Sequence, residues 1–262
     1  MGQVNVVKAQ GIARIELASP PMNTLTRATV TDLAQALAAS RADAEVRVVL
    51  LHGAGSRAFS AGSDLGELRQ LIAAGQEALA RKFEQDMDVF GQVAHFPKPT
   101  IAAIEGAAIG GGLELAAGCD FIVAARGSRL ALPEIHLGAF PGSGGTVWIT
   151  QRIGPARARR MMLLGEAIDT VQALAWGLVD ELCDDGTAME AALRLAQRLA
   201  AGPALAHEGC KAAIGAAVDG SEADALALAA RWAIRLGFSD DVAEGLRAIQ
   251  ERRKPEFNRA RH

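Results

Sequence analysis

The chain has 262 residues, half of them hydrophobic, and a net charge of −3. A near-neutral chain without a basic block does not indicate a nucleic acid or an anionic membrane as a partner. No apolar run reaches the roughly 18–20 residues that span a bilayer. The three cysteines lack CxxC spacing, and the first ten residues lack the apolar core of a signal peptide. We therefore expect a cytoplasmic protein that holds no metal.

The first hundred residues alternate between strand and helix patterns. A continuous apolar run, VRVVLL, predicts a strand that is buried on both faces. Thr26 is a typical residue for capping a helix, and Gly75 could interrupt the long helical pattern that follows the second loop. The predicted elements are strands at 4–7, 12–17 and 46–51 and helices at 26–40 and 66–95, with a glycine-containing loop at 52–65.

The remainder of the chain continues this alternation and then becomes helical. Strands are predicted at 101–104, 121–125, 130–132 and 178–182, with a helical pattern that includes residues 113–116 and helices at 146–152, 156–164 and 170–176. Four further helices are predicted at about 186–201, 203–218, 221–236 and 239–253. This order predicts an α/β core over residues 1–185 and a helical region over residues 186–262, with a soft boundary near Gly186.

The stretch IAAIEGAAIGGGLELAAGCD, residues 101–120, is the centre of the functional prediction. A buried strand leads through three consecutive glycines into a helix whose first turn contains Glu114. Glycines at a helix start let a ligand approach the backbone, where the first N–H groups have no partner inside the helix. Such groups can hold an anion, so a carboxylate one turn away is suited to proton transfer.

Four motifs occur in a fixed order along the chain. They are RAFSAGSDL at 57–65, IEGAAIGGGLELAAGCDF at 104–121, LPEIHLGAFPGSGGT at 132–146 and KPEF at 254–257. Their order and spacing resemble the enoyl-CoA hydratase/isomerase family, also called crotonases, over essentially the whole chain. The resemblance implies a spiral core of repeated ββα units, a helical C-terminal trimerisation region, and a homotrimer or a hexamer built from two trimers.

The resemblance also implies an acyl-CoA substrate and no separate cofactor, because coenzyme A is part of the substrate. The catalytic pair would be Glu134, which exchanges the α-proton, and Glu114, which activates water. The backbone N–H groups of Ser63 and Gly111 would form an oxyanion hole for the thioester oxygen. Contacts with coenzyme A are expected from Arg57, Ser60, Ala61, Gly62, Ser63, Asp64, Leu65 and Gly110, and from the tail residues Lys254 and Phe257, often those of a neighbouring subunit.

The acyl pocket is expected to be lined by the helical segment after residue 65 and by two bulky residues near the PGSGG motif. The expected lining is Leu68, Ile72, Met87, Phe140 and Trp148, together with Leu71 and Phe83. Family hydratases commonly have a Gln-Arg pair after GGT, where this chain has Val147 and Trp148. That difference bears on substrate choice more than on reaction type.

Two glutamates favour addition of water to a 2-enoyl-CoA, giving a 3-hydroxyacyl-CoA as in β-oxidation. The alternatives are a Δ3,Δ2-enoyl-CoA isomerase that works through Glu134 alone, and a non-catalytic CoA-binding scaffold. Relatives with a catalytic tyrosine are disfavoured because the chain contains no tyrosine. Dehalogenase-type relatives need an aspartate nucleophile, and the spacing of Asp169 and Asp180 alone does not dismiss them.

Overall fold

The computed structural model describes residues 4–258. Within this range nine strands form two sheets. The strands are β1 (Val4–Ala9), β2 (Ile12–Leu17), β3 (Val48–Gly53), β4 (Ala58–Ser60), β5 (Thr100–Ile104), β6 (Ala107–Ile109), β7 (Phe121–Ala125), β8 (Arg129–Ala131) and β9 (Glu181–Cys183).

Helices connect the strands and make up most of the C-terminal part. They are α1 (Arg27–Ala42), α2 (Leu65–Ala74), α3 (Gln76–Ala94), α4 (Gly111–Ala117), α5 (Gly145–Leu164), α6 (Thr170–Trp176), α7 (Ala188–Ala200), α8 (Ala204–Asp219), α9 (Glu222–Gly237) and α10 (Asp240–Glu251). A short 3₁₀ turn, Glu134–Leu137, lies between β8 and α5.

The larger sheet has six strands in the order β1-β2-β3-β5-β7-β9. The β1–β2 pair is antiparallel, and the other neighbours are parallel. The apolar run of β3 is explained by burial on both faces, since Val48 and Leu50 belong to one hydrophobic cluster and Val49 and Leu51 to another. Helix α7 contributes small alanines to the first cluster, and α1, α3 and α4 contribute to the second.

Three successive ββα units build the core. The strand pairs β3/β4, β5/β6 and β7/β8 each place their first strand in the large sheet and their second in a parallel three-stranded sheet, β4-β6-β8. The carboxyl ends of parallel neighbours meet at one edge, so the residues after Ser60, Ile109 and Ala131 lie side by side. The predicted crotonase-like fold class, with repeated ββα units and a helical C-terminal part, is thereby confirmed.

Several local predictions need correction. The segment predicted as a loop at 52–65 contains β4, and β6 was not predicted, because three-residue strands are too short to show alternation. Gly75, with φ of 102°, does divide the long helical segment into α2 and α3. Helix α5 covers both helices predicted near Pro155, and Gly154 breaks its geometry between them.

The first C-terminal helix, α7, is part of the core because it packs on the large sheet. Helix α7 packs on β3, β5 and β7, and α8 packs on α9. The ammonium of Lys211 on α8 bonds the carboxylate of Asp120 beside β7, which ties the helical region to the sheet. The division at residue 185 stays a prediction, and the ends of both regions, 1–3 and 259–262, lie outside the described residues. Between residues 4 and 258, no helix combines the length and the apolar character that crossing a membrane requires.

Candidate active site

One cavity of about 240 Å³ opens at the carboxyl ends of β4, β6 and β8. A larger cavity of about 430 Å³ lies between α3, α5 and α8, but it contains neither glutamate of the predicted pair. The smaller cavity contains both. Of the residues predicted for the site, it brings together Ala61, Gly62, Ser63, Leu65, Leu68, Gly110, Gly111, Glu114, Glu134 and Phe140.

Glu114 enters the cavity from α4 and is fixed by the loop that precedes α5. Its side chain is buried, and its Oε1 accepts hydrogen bonds from the N–H of Ser143 at 2.9 Å and of Gly145 at 2.8 Å. The pKa of this carboxyl is raised to about 7, chiefly by burial; the two backbone donors lower it, and the charges of Glu134 and Asp86 raise it. Glu114 can therefore exchange a proton near neutral pH.

Glu134 enters from the opposite side, at the start of the 3₁₀ turn. Its Oε1 lies over Gly110, where a Cβ atom would approach it to 2.9 Å. Its Oε2 is buried and has no hydrogen-bond partner among residues 4–258. Burial raises the pKa of Glu134 as well. A half-buried carboxyl with one unused oxygen is chemically suited to proton exchange with a bound molecule.

Two backbone N–H groups lie between these carboxyls. Gly62 approaches the start of α4 so closely that a Cβ on it would lie 2.9 Å from the nitrogen of Gly111. The adjacent Ser63 bridges to Leu25, and the Gly62 carbonyl accepts from the Leu25 N–H at 2.8 Å. Within the described part of the chain, no hydrogen bond engages the N–H of Ser63 or of Gly111. Two free donors beside one cavity can receive an anionic oxygen.

Gly62 and Gly110 are the glycines that this arrangement requires. Both have positive φ, 81° and 54°, which side chains other than glycine rarely adopt. A side chain at Gly62 would also collide with the Ile109 carbonyl, 2.8 Å from the Cβ position, and with the start of α4. Glycine at position 62 therefore allows the two backbone segments to approach each other closely.

Several predicted CoA contacts lie outside the cavity lining. Arg57 is exposed just before β4, and the hydroxyl of Ser60 accepts from the Gly62 N–H at 3.1 Å. Asp64 caps α2 by accepting from the Glu67 N–H at 2.8 Å. Phe257 lies in an apolar groove formed by α8, α9 and α10, and Lys254 is exposed in the same tail.

Four of the seven residues predicted for the acyl pocket lie outside the lining of this cavity. Leu68, Phe83 and Phe140 line the cavity, but Ile72, Met87 and Trp148 do not. Ile72 lies one helical turn beyond Leu68 on the same face of α2, past the cavity, and is 59% exposed; Met87 is 46% exposed. Trp148 packs over Gly144 and lines the larger cavity by α8. Leu71 is not part of the lining either.

Other candidate groups of the sequence are engaged elsewhere. Asp169 caps α6 by accepting from the Gln172 N–H, and Asp180 accepts from the Ile122 N–H and pairs with Arg152. Neither aspartate lines the cavity. In the range 4–258, no three His, Cys, Asp or Glu side chains are grouped as a metal site would need.

Sequence reasoning missed three residues behind Glu114. Ser143 lines the cavity, and its backbone holds the carboxylate. Lys82 and Asp86 on α3 form an ion pair that is almost fully buried, at 1% exposure each. Their spacing of four residues on a helix is typical of an exposed pair, so the sequence offered no signal of burial.

The ββα repeats, with two carboxyls flanking two free backbone donors, define a crotonase-type protein. The family model for enoyl-CoA hydratase/isomerase matches residues 7–260. A probable enoyl-CoA hydratase of Bacillus subtilis is 34% identical over 98% of this chain and 99% of its own length. An enoyl-CoA isomerase/hydratase of Mycosarcoma maydis is 36% identical, covering 90% of this chain and 88% of the relative.

Solved structures agree with the sequence matches. The crystal structure of an enoyl-CoA hydratase from Bacillus anthracis superposes with a TM-score of 0.93 at 31% identity, over 97% of this chain and 98% of that one. The chain therefore belongs to the enoyl-CoA hydratase/isomerase family, whose members act on acyl-CoA thioesters.

Proposed function

We propose that this protein adds water across the 2,3 double bond of a 2-enoyl-CoA thioester to give a 3-hydroxyacyl-CoA. The observation that supports this proposal is the placement of Glu114 and Glu134 in one cavity with two free N–H groups. Hydration needs two proton movements, and two carboxyls can divide them. The hydratase names of several relatives agree with it.

The thioester carbonyl oxygen would accept hydrogen bonds from the N–H groups of Ser63 and Gly111. Negative charge develops on this oxygen as the β-carbon is attacked, so the donors stabilise the transition state more than the substrate. Loss of one such donor typically raises the activation free energy by about 3 kcal/mol. The side chain of Ser63 has no role in this step.

The proton transfers would then be split between the glutamates. Ionised Glu114, held through Oε1, uses its other oxygen to take a proton from water as the water oxygen bonds the β-carbon. The π-electron pair moves to the α-carbon and carbonyl, and protonated Glu134 delivers a proton to the α-carbon. Water contributes hydroxyl and proton overall, so the step needs no oxidant or reductant, and solvent exchange restores the two protonation states.

The electrostatics of the cavity support one ionised and one protonated glutamate. Burial raises the pKa of both groups, and the charge of Glu134 opposes ionisation of Glu114. The backbone donors on Glu114 favour its charged form, whereas the Glu134 Oε2 has no such donor among the described residues. We therefore assign water activation to Glu114, whose Oε1 is fixed by two donors, and α-proton transfer to Glu134, whose Oε2 has no partner among the described residues.

The direct test is a panel of 2-enoyl-CoA thioesters of increasing acyl length, followed by loss of absorbance of the conjugated thioester. We expect hydration of at least one short member, with formation of the 3-hydroxyacyl product. Absence of turnover across the panel, with a correctly folded protein, would refute the hydratase proposal.

Isomerisation of a 3-enoyl-CoA to a 2-enoyl-CoA is the second candidate. The observation that favours it is the orphaned Oε2 of Glu134, because one carboxyl can move a proton from the α-carbon to the γ-carbon. The relative from Mycosarcoma maydis is named for both activities. Glu114→Gln decides between the two, since an isomerase would keep its activity on 3-enoyl-CoA and a hydratase would lose activity on 2-enoyl-CoA.

We also propose assembly into a trimer or a hexamer. Helices α9 and α10 and their connection expose large apolar side chains, namely Leu226, Ile234, Phe238, Leu246 and Ile249, which are 60–89% exposed. Such a surface favours burial against further copies. A neighbouring copy is also the route by which the tail residues Lys254 and Phe257 could reach coenzyme A. Light scattering that finds only a monomer at micromolar concentration would contradict this assembly.

A further inference from the structure

The buried ion pair of Lys82 and Asp86 lies directly behind the cavity wall. Each residue is 1% exposed, and the ammonium bonds the Oδ2 of Asp86 one helical turn away. Removing two charges from water is costly, so a buried pair is poor evidence for stabilisation in itself. Its position next to the cavity suggests what the pair does.

Contacts link the pair to Glu114 through one residue. Asp86 Oδ2 accepts a long hydrogen bond of 3.5 Å from the Ser143 hydroxyl, and the Ser143 N–H donates to Glu114 Oε1 at 2.9 Å. The second carboxylate oxygen of Asp86 is buried and has no partner among the described residues. The aspartate is thus not fully satisfied by the fold, and its charge remains close to Glu114.

We propose that Lys82 and Asp86 are positioning residues for Glu114. Through Ser143, which bonds both Asp86 and Glu114, they hold the loop donors on one oxygen of that carboxylate. The inference rests on the proposed role of Glu114 as the base. In this proposal two residues of α3 influence catalysis through Glu114 and do not contact the substrate.

The surrounding charges are few. Glu114 faces Glu134 from the 3₁₀ turn and Asp86 from α3, and both oppose its ionisation. Asp86 faces Lys82 on its own helix and Glu67 from α2. Loss of the Asp86 charge should therefore favour the ionised form of Glu114, because it removes one of the two negative charges that oppose ionisation. Glu134 and Glu67 are the same in the wild type and in the Asp86 variants.

The test compares variants by the pH dependence of kcat. Asp86→Asn removes only the negative charge and should move the acidic limb of the kcat profile to lower pH by about one unit. The double change Lys82→Met with Asp86→Leu removes both charges, so its shift should have the same direction and be smaller. The double variant replaces the pair by apolar groups, which buried pairs commonly tolerate, so it keeps the test open if Asp86→Asn does not fold. Asp86→Glu retains the charge and should restore the wild-type limb.

A matched control lies on the same helix. Glu77 and Arg81 form an ion pair with the same spacing but exposed side chains, and Glu77→Gln with Arg81→Met should leave the profile unchanged. A lower kcat without a shift of the acidic limb of the pH profile in both charge-removing variants would overturn the proposal. That result is what loss of a purely structural ion pair would produce.

A direct titration separates this inference from the proposed function. The carboxyl carbon resonance of Glu114 in ¹³C-labelled protein, assigned by its loss in Glu114→Gln, reports the pKa without any substrate. A wild-type protein that hydrates no enoyl-CoA would refute the hydratase proposal. A resonance that titrates identically in wild type and in the double variant would refute the positioning role.

Discussion

The two glutamates of the cavity are the same residue type in opposite surroundings. Glu114 lies on a buried helix, and two backbone donors fix one of its oxygens. Glu134 begins a short turn whose following residues are exposed, and its Oε2 has no partner within residues 4–258. The difference shows how a fold can give chemically identical side chains different freedom, with one carboxylate fixed by donors and the other left with an unpartnered oxygen.

The largest effect should come from removing either glutamate. Glu114→Gln and Glu134→Gln keep shape but lose proton exchange, so each should lower kcat for hydration by about 10²–10⁴. The double variant should cost far less than the product of the single losses, since the groups act as a unit. Steady-state kinetics on a 2-enoyl-CoA that the wild-type protein hydrates measures kcat for the two single variants and the double variant. Full hydratase activity in Glu114→Gln would make the comparison above irrelevant to catalysis.

The donors between the glutamates can be disturbed without touching either carboxyl. Gly62→Ala would place a methyl group 2.9 Å from the nitrogen of Gly111 and in a backbone conformation with φ of 81°. We expect kcat to fall by about 10²–10³, as for loss of one oxyanion donor. Gly55→Ala is the matched control, because Gly55 also has positive φ but open space around it. An equal loss of kcat in both variants would indicate that backbone strain, and not the position of the N–H donors, causes the loss.

The held glutamate should also leave a signature in stability. The pKa of Glu114 rises from 4.5 to about 7 on folding, so the folded state binds this proton more tightly. Stability from this group is therefore present below pH 4.5 and declines as pH rises towards 7. The decline is on the order of 3 kcal/mol, or about a hundredfold in the unfolding equilibrium.

Urea unfolding of wild type and Glu114→Gln at pH 5 and pH 8, at one protein concentration, measures this term. The glutamine variant should lose less stability between the two pH values. Glu134→Gln serves as the comparison, and its effect should be smaller because that carboxyl is less buried. Parallel pH dependence in wild type and Glu114→Gln would contradict the raised pKa.

The smallest effect should concern substrate choice. Leu68→Ala and Phe140→Ala enlarge the cavity and should change the preference between short and longer acyl chains by about tenfold, the scale of small changes in an apolar pocket. Ile72→Ala and Met87→Ala are matched controls that lie outside the lining. Equal changes in preference for all four would show that the lining residues do not define the acyl pocket.

Sequence reasoning reached the fold and the central motif because both depend on local pattern. The glycines before Glu114 and the buried strands are visible in composition and spacing. Trp148 was misplaced because the rotation of α5, and not its sequence neighbours, decides which way its side chain points. The glutamate roles stay predictions, since geometry alone does not measure proton transfer.

Lys82 and Asp86 illustrate a different limit. The same helix has two ion pairs of identical spacing, Glu77–Arg81 and Lys82–Asp86, and only the second is buried. Nothing in the local sequence distinguishes them, because burial arises from the loop at Ser143 that arrives 57 residues later. Long-range packing of this kind is not encoded in a periodic pattern.

The small three-stranded sheet sets the spacing of three chain segments that line the cavity. Ser63, Gly111 and Glu134 each follow one of its strands, and neighbouring strands are about 4.8 Å apart by main-chain hydrogen bonding. The spacing between the Ser63 and Gly111 N–H groups and the start of the turn that contains Glu134 is thus set by main-chain pairing. Substitutions of lining side chains, such as Leu68 or Phe140, would therefore alter the cavity wall without altering this main-chain spacing.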